Sequence, residues 1–288
     1  MKNPMQLKAL VRNISREKNI SAQLVLQNYM LERLLERISL SKYRNQFILK
    51  GGFLIASIVG LDTRATMDMD LTIKGFTPAM ENIQQILTEI TNTVVEDNVT
   101  FAWKGISEIR EDAEYAGYRV ALTGNFPPME VPLKLDITSG DKITPKEVNY
   151  EYKPLFGEKV IPVLAYNLET VLAEKLEAIV SRGDQSTRMR DYYDVYILNK
   201  LQSANIDLDN LKKALENTAV QRGTFGIMTS YKEIIQSVGN SESMNRQWQN
   251  YQVSFDYAKD IEFGYICEVL DEILDELFHR RGGVHASN

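Results

Sequence analysis

Thr66-Met67-Asp68-Met69-Asp70-Leu71-Thr72-Ile73 is the stretch on which the reading of the fold turns. With the two-residue period of a β-strand, Thr66, Asp68, Asp70 and Thr72 share one face and Met67, Met69, Leu71 and Ile73 the other. The apolar set is core material. The opposite face carries two carboxylates side by side, at a spacing that one or two Mg²⁺ ions could bridge. Two readings stand at this point, a wet strand that happens to be acidic and a cation site. Aspartate is disfavoured in strands, so a pair of them is unusual.

The flanking sequence extends the second reading. Leu49-Lys50-Gly51-Gly52-Phe53-Leu54-Ile55 lies a short way upstream. Its Gly-Gly step lets the backbone turn sharply and approach a ligand, and the apolar run after it could open a helix whose N-terminus favours phosphate. Two glycines can equally mark a plain turn. Downstream, Leu133-Lys134-Leu135-Asp136-Ile137-Thr138 repeats the alternation, with Leu133, Leu135 and Ile137 inward and Asp136 outward. If that strand pairs beside 66–73, Asp136 is a third carboxylate next to Asp68 and Asp70, and such a trio suits phosphoryl or nucleotidyl transfer.

Around these strands the pattern is α+β. Residues 5–45 read as helices, with Leu7, Leu10, Val11 and Ile14 on one stripe and Leu24, Tyr29, Leu31, Leu34 and Leu35 on a second. Alternating runs at 66–74, 99–103, 118–123 and 133–138 read as strands. A helix from about Thr77 to Val94 interrupts them, with Pro78 in its first turn. From Asn167 onward the sequence is mainly helical. We expect an α/β lobe over residues 1–160 and a helical lobe over 161–288, with 143–162 as the connection. The C-terminal segment places Ile266, Leu270, Ile273 and Leu277 on one stripe and its acidic residues elsewhere, as in a docked amphipathic helix.

Two helices carry charges where apolar residues belong. At about 100° per residue, Val171, Leu168, Ile179 and Leu172 all fall within roughly 60° of Lys175, so the lysine sits inside the apolar stripe. Snorkelling of its stem is one explanation; an ammonium held in a cleft to meet a triphosphate is the other. In Arg190-Asp191-Tyr192-Tyr193-Asp194-Val195-Tyr196-Ile197-Leu198, Asp194 falls between Ile197 and Leu198, and Asp191 shares its face. An Arg190–Asp194 brace and a role in a site are both compatible with that pattern.

Composition narrows the chemistry. The 288 residues hold 33 Lys and Arg against 39 Asp and Glu, a formal charge of −6. Both histidines, His279 and His285, lie in the last ten residues, so a Ser-His-Asp or Cys-His centre or a zinc site is poorly supplied. Chemistry must rest on carboxylates, hydroxyls, Lys and Arg, which suit hard cations and phosphate. The lone Cys267 excludes an internal disulfide and fits a reducing cytoplasm. No apolar run approaches the roughly 20 residues of a membrane span, and no membrane association is expected.

Read together, Lys50-Gly51-Gly52, Arg64-Ala65-Thr66-Met67-Asp68-Met69-Asp70, Leu135-Asp136, Ala173-Glu174-Lys175-Leu176 and Arg188-Met189-Arg190-Asp191-Tyr192-Tyr193-Asp194 resemble the AbiEii/AbiGii toxin family over roughly residues 45–200. These are nucleotidyltransferase-like toxins of bacterial toxin–antitoxin and abortive-infection (phage-defence) systems, related to the MenT toxins. The resemblance implies a nucleotidyltransferase-like mixed sheet with flanking helices and a mainly helical C-terminal lobe. It also implies Mg²⁺-dependent transfer of a nucleotide from an NTP, GTP or another ribonucleotide, to an acceptor, by analogy the tRNA 3′ end. Its motifs would make Asp68, Asp70 and Asp136 metal ligands, with Asp136 also a base for the acceptor hydroxyl. Lys50, Gly51, Gly52, Arg64 and Thr66 would bind nucleotide, Lys175 would neutralise the triphosphate, and Asp191 and Asp194 would line the nucleotide or acceptor. The cognate antitoxin would act without a stable direct complex.

One departure is Phe53, where many relatives carry Ser or Thr at or just after the glycines. Phosphate grip would then fall to backbone N–H groups and to Lys50 or Lys175. Two alternatives stay open beside this reading. A nucleotidyltransferase acting on a small molecule of the antibiotic type, or on a protein, would use the same carboxylates and would suit the acidic pI of 5.2. A nucleotide-binding interaction module could keep the fold without turnover.

Overall fold

The computed structural model describes residues 3–76, 79–109 and 117–279. Helices α1 (Pro4–Glu17) and α2 (Ala22–Leu40) lead the chain. Asn3 and Ser21 cap them by accepting from the N–H groups of Met5 and Leu24, which have no carbonyl partner in a first turn. Next come β1 (Phe47–Lys50), α3 (Gly51–Val59), β2 (Asp68–Ile73), α4 (Met80–Thr91), β3 (Thr100–Ile109), β4 (Gly117–Phe126), β5 (Met129–Ser139), β6 (Val148–Tyr152) and β7 (Ile161–Ala165). Helices α5 (Leu168–Arg182), α6 (Met189–Gln202), α7 (Leu208–Gln221), α8 (Phe225–Met228), α9 (Tyr231–Asn240), α10 (Glu242–Ser254) and α11 (Phe263–His279) follow. This is the mixed α/β pattern with a helical C-terminal region that the sequence implies.

The seven strands form one mixed sheet in the order β3-β4-β5-β2-β1-β7-β6. Strand β2 runs parallel to β5 and antiparallel to β1, pairing Met69 with Leu135, Asp70 with Asp136 and Lys50 with Asp70. Met69, Leu71, Leu133, Leu135 and Ile137 are all buried on the face packed by helices. Met67, expected on that face, is exposed instead, because the β2 ladder starts only at Asp68. The segment before it is braced by α2, whose buried Asn28 and Gln27 amides donate to the Thr66 and Met67 carbonyls at 2.8 and 2.7 Å.

The segment 143–162, expected as a connection, contains β6 and the start of β7. The chain divides into two compact units. One is the chain up to Asp141 with Glu147–Tyr166; the other is Lys142–Lys146 with Asn167 onward. In the second unit, Leu172 and Leu176 of α5, Tyr192 and Val195 of α6, Leu215 of α7 and Leu270 and Leu274 of α11 are buried. The expected helix from about Thr77 is found as α4; Pro78 and His285 lie outside the described residues. Among the described residues, no helix is long and apolar enough to cross a membrane.

Candidate active site

Three carboxylates occupy one face of adjacent strands in the sheet unit. Asp68 and Asp70 are two positions apart on β2, and Asp136 on β5 is the direct partner of Asp70. The pairing condition posed by the sequence is therefore met. All three are partly exposed, while Thr72 and Thr138, further along the same face, are buried.

The glycine pair is fitted around Asp70. Gly51 takes φ +62°, in the left-handed region, and a Cβ there would stand 2.1 Å from Asp70 Oδ2. The Gly52 N–H donates to the same oxygen at 3.1 Å. Since α3 begins at Gly51, the Asp70 carboxylate lies at a helix N-terminus, whose dipole favours its negative charge. Gly52 also has a steric reason to be glycine: a Cβ would lie 2.9 Å from both Arg64 Nη atoms and 3.0 Å from Thr66 Oγ1. Arg64 is almost fully buried and donates to the Ala65 carbonyl at 2.7 Å. Phe53 turns into the core and stacks on Tyr152 with ring centroids 5.3 Å apart.

Lys50 sits opposite Asp70 in the β1–β2 register, but its ammonium is buried and paired with Asp141, and it lies over the Tyr166 ring at 5.6 Å. Burial alone would push the Asp141 carboxyl up. The Lys50 charge beside it, with hydrogen bonds from Lys50, Thr138 and Thr72, outweighs burial and holds it well below the usual carboxylate range. Asp136 is also engaged, since Arg119 on β4 donates from Nε to Oδ1 at 2.8 Å and from Nη2 to Oδ2 at 2.7 Å.

Sequence reasoning missed Asp141 and Arg119. The available signal was alternation, which would turn Arg119 outward between the buried Tyr118 and Val120. Its meeting with Asp136 depends on the β4–β5 register, which places 119 opposite 136.

In the helical unit, Lys175, Asp191 and Asp194 form one cluster. The Lys175 ammonium is 2.5 Å from Asp191 Oδ1 and 3.2 Å from Asp194 Oδ2, and Arg188 Nε reaches Asp191 at 3.4 Å. The side chains of Asp191 and Asp194 are 4% and 0% exposed, so the lysine compensates two buried carboxylates. Arg190, considered as a brace for Asp194, lies over the Phe255 ring at 5.4 Å.

The donor set on the sheet is all oxygen, which suits a hard cation. Mg²⁺ is commonly held by one or two carboxylates, with phosphate oxygens and water completing its shell, and Asp68 and Asp70 fit that pattern. Among the described residues, no three His, Cys, Asp or Glu side chains converge as a complete ion site.

A family model described as the nucleotidyl transferase AbiEii toxin of type IV toxin–antitoxin systems matches residues 33–276. Among solved structures, the chain resembles MenT4, a nucleotidyltransferase toxin of Mycobacterium tuberculosis H37Rv. That match has a TM-score of 0.52 at 16% identity, over 94% of this chain and 98% of that one, and it bears on the fold. JHP933 from Helicobacter pylori matches at TM-score 0.49 and 17% identity, over 90% of this chain and 96% of that one. An antigenic nucleotidyltransferase-like protein from Paracoccidioides brasiliensis matches at 0.40 and 17%, over 74% and 94%. Curated protein sequences give no match. With a model that spans most of its length, and with the Gly-Gly turn folded against an Asp-x-Asp strand, the chain belongs to the AbiEii family of nucleotidyltransferase toxins of type IV toxin–antitoxin systems.

Proposed function

We propose that this toxin transfers a nucleotide from an NTP, GTP being the first donor to test, to the 3′ end of tRNA in the cytoplasm. The observation that carries the reading is the row Asp68, Asp70 and Asp136 on one sheet face, with the Gly51-Gly52 turn seated on Asp70. In the reaction, an acceptor hydroxyl oxygen bonds to the α-phosphorus as pyrophosphate leaves. Asp68 and Asp70 would hold the divalent cation, with Asp136 as the third carboxylate beside them. When bound, Mg²⁺ offsets the charge of the triphosphate.

Asp136 accepts the proton of the attacking hydroxyl. Gly51 and Gly52 leave room for the Asp70 carboxylate and hold it through the Gly52 N–H. Arg64 and Thr66 pack against that turn, and Lys50 pairs with Asp141, just past the end of β5. By the family resemblance, Lys175, Asp191 and Asp194 contribute to nucleotide or acceptor binding. The antitoxin acts without a stable direct complex.

The test is incubation with each labelled NTP, Mg²⁺ and total bacterial RNA. Label that enters tRNA-sized RNA, and is absent with Asp70→Asn, supports the reading. Label that resists ribonuclease, or stays with protein or a small molecule, overturns the acceptor. The net charge of −6 favours a small-molecule acceptor as the second reading, and salt separates the two. Binding through phosphate contacts weakens steeply with salt, whereas binding of a small neutral acceptor does not.

A further inference from the structure

We propose that Arg119 is a built-in counter-cation of the carboxylate face, holding Asp136 while the site is free of metal and nucleotide and releasing it when a divalent cation and a triphosphate bind. The proposal rests on the Mg²⁺-dependent transferase reading and deepens it by adding a positioning residue outside the motifs. Three carboxylates on neighbouring strand positions repel one another, and the sheet must offset that charge. Arg119 lies directly across from Asp136 in the β4–β5 pairing, and its planar fork engages both carboxylate oxygens, at 2.8 and 2.7 Å. With both oxygens donated to, Asp136 is committed to the guanidinium.

The exposure of the pair indicates that the commitment is reversible. The Arg119 side chain is 49% exposed and that of Asp136 20%, against 6% and 10% for Lys50 and Asp141 on the same sheet face. An ion pair so open to water is held weakly, whereas a buried one resists separation. Arg119 can therefore swing without disturbing the core. Its guanidinium also matches phosphate, which it can bind through the same two parallel N–H groups. A triphosphate arriving with its cation offers the arginine an alternative anion and frees Asp136.

The experiment measures Mn²⁺ binding to the nucleotide-free full chain by electron paramagnetic resonance. The variants are wild type, Arg119→Gln, Asp136→Asn and the double substitution, each first shown to be folded by circular dichroism. Arg119→Gln should bind Mn²⁺ about tenfold more tightly than wild type, because it frees a carboxylate and removes a positive charge. The gain should vanish in the Asp136→Asn background. Arg119→Gln should also bind a non-hydrolysable NTP analogue more weakly, so metal and nucleotide affinities move in opposite directions. A merely structural arginine would weaken both.

Unchanged or weaker Mn²⁺ binding by Arg119→Gln overturns the proposal, as does a gain that persists without Asp136, or no Mn²⁺ binding by any variant. Should Arg119→Gln fail to fold, Arg119→Lys keeps the charge, loses the fork and should show a smaller gain; no gain overturns the proposal. The metal titration uses no acceptor and no turnover. Failure of label transfer with the Mn²⁺ result intact would thus refute the transferase reading and leave the counter-cation standing.

Discussion

Gly51→Ala tests whether the glycine turn is built around Asp70. Two costs can be worked from the structure. At φ +62° an L-residue is in the left-handed region, which costs about 1–2 kcal/mol. The new methyl would also stand 2.1, 2.6 and 2.7 Å from Oδ2, Cγ and Cβ of Asp70, so the strand or the turn must shift, an overpacking cost of about 1–3 kcal/mol. We expect Gly51→Ala to lose about 2–5 kcal/mol in urea denaturation. Asp70→Gly removes all three clashing atoms, so in that background Gly51→Ala should cost only the backbone part, about 1–2 kcal/mol. The difference is a coupling energy, read from a double-mutant cycle. The reasoning is refuted by a Gly51→Ala protein within about 0.5 kcal/mol of wild type, or by an equal loss in both backgrounds.

Three further outcomes follow from the same contacts. Asp68→Ala and Asp70→Ala should both abolish label transfer, but only Asp70→Ala should lose stability, by about 1 kcal/mol, since Asp70 accepts from the Gly52 N–H at the start of α3; equal stabilities would contradict this. Lys175→Met should destabilise the protein by about 3–5 kcal/mol, because it removes the ammonium that compensates the buried Asp191 and Asp194, and Asp191→Asn with Asp194→Asn should recover much of the loss; a Lys175→Met protein as stable as wild type would disprove the charge-compensation role. Glu32 is fully buried on α2, and burial pushes its carboxyl up to about 8, against hydrogen bonds from the Leu155 N–H and Tyr152 hydroxyl. The folded state therefore holds a proton that the unfolded chain gives up near its ordinary value of 4.5, so this contribution is full below that value and is lost as pH rises towards about 8. Glu32→Gln should flatten the fall in urea stability between pH 5 and pH 8; an unaltered slope would remove Glu32 as its source.

The sheet carboxylates and the Lys175 cluster were legible to different depths, and the reason is the range of the interactions. Asp68, Asp70 and Asp136 could be read because strand alternation is local: each aspartate is outward once its apolar neighbours are inward. The Gly-Gly step could be read as a close approach of backbone to an anion. The anion that the structure puts there is Asp70, eighteen residues on, rather than a ligand. Arg119 shows where local reading stops. Its outward direction follows from Tyr118 and Val120, but its partner is fixed by a hairpin register that no short window contains.

Lys175 shows the opposite case, in which the information was present in separate pieces. Helical geometry put a lysine inside the apolar stripe of α5 and two aspartates on the core-like face of α6, and each anomaly could be explained by itself. A half-buried cation and buried anions on consecutive helices are more economically explained by each other. A buried charge is costly alone, and pairing offsets part of the penalty on both helices. The structure joins them, at 2.5 and 3.2 Å. For the cluster to serve a triphosphate, the phosphate must offer Lys175 more than two desolvated carboxylates already do. Nucleotide affinity measured in Asp191→Asn, where one competitor loses its charge, is therefore the sharper probe of this lysine. A triphosphate ligand of Lys175 should bind more tightly in that variant, and a purely structural Lys175 should leave nucleotide affinity where it was.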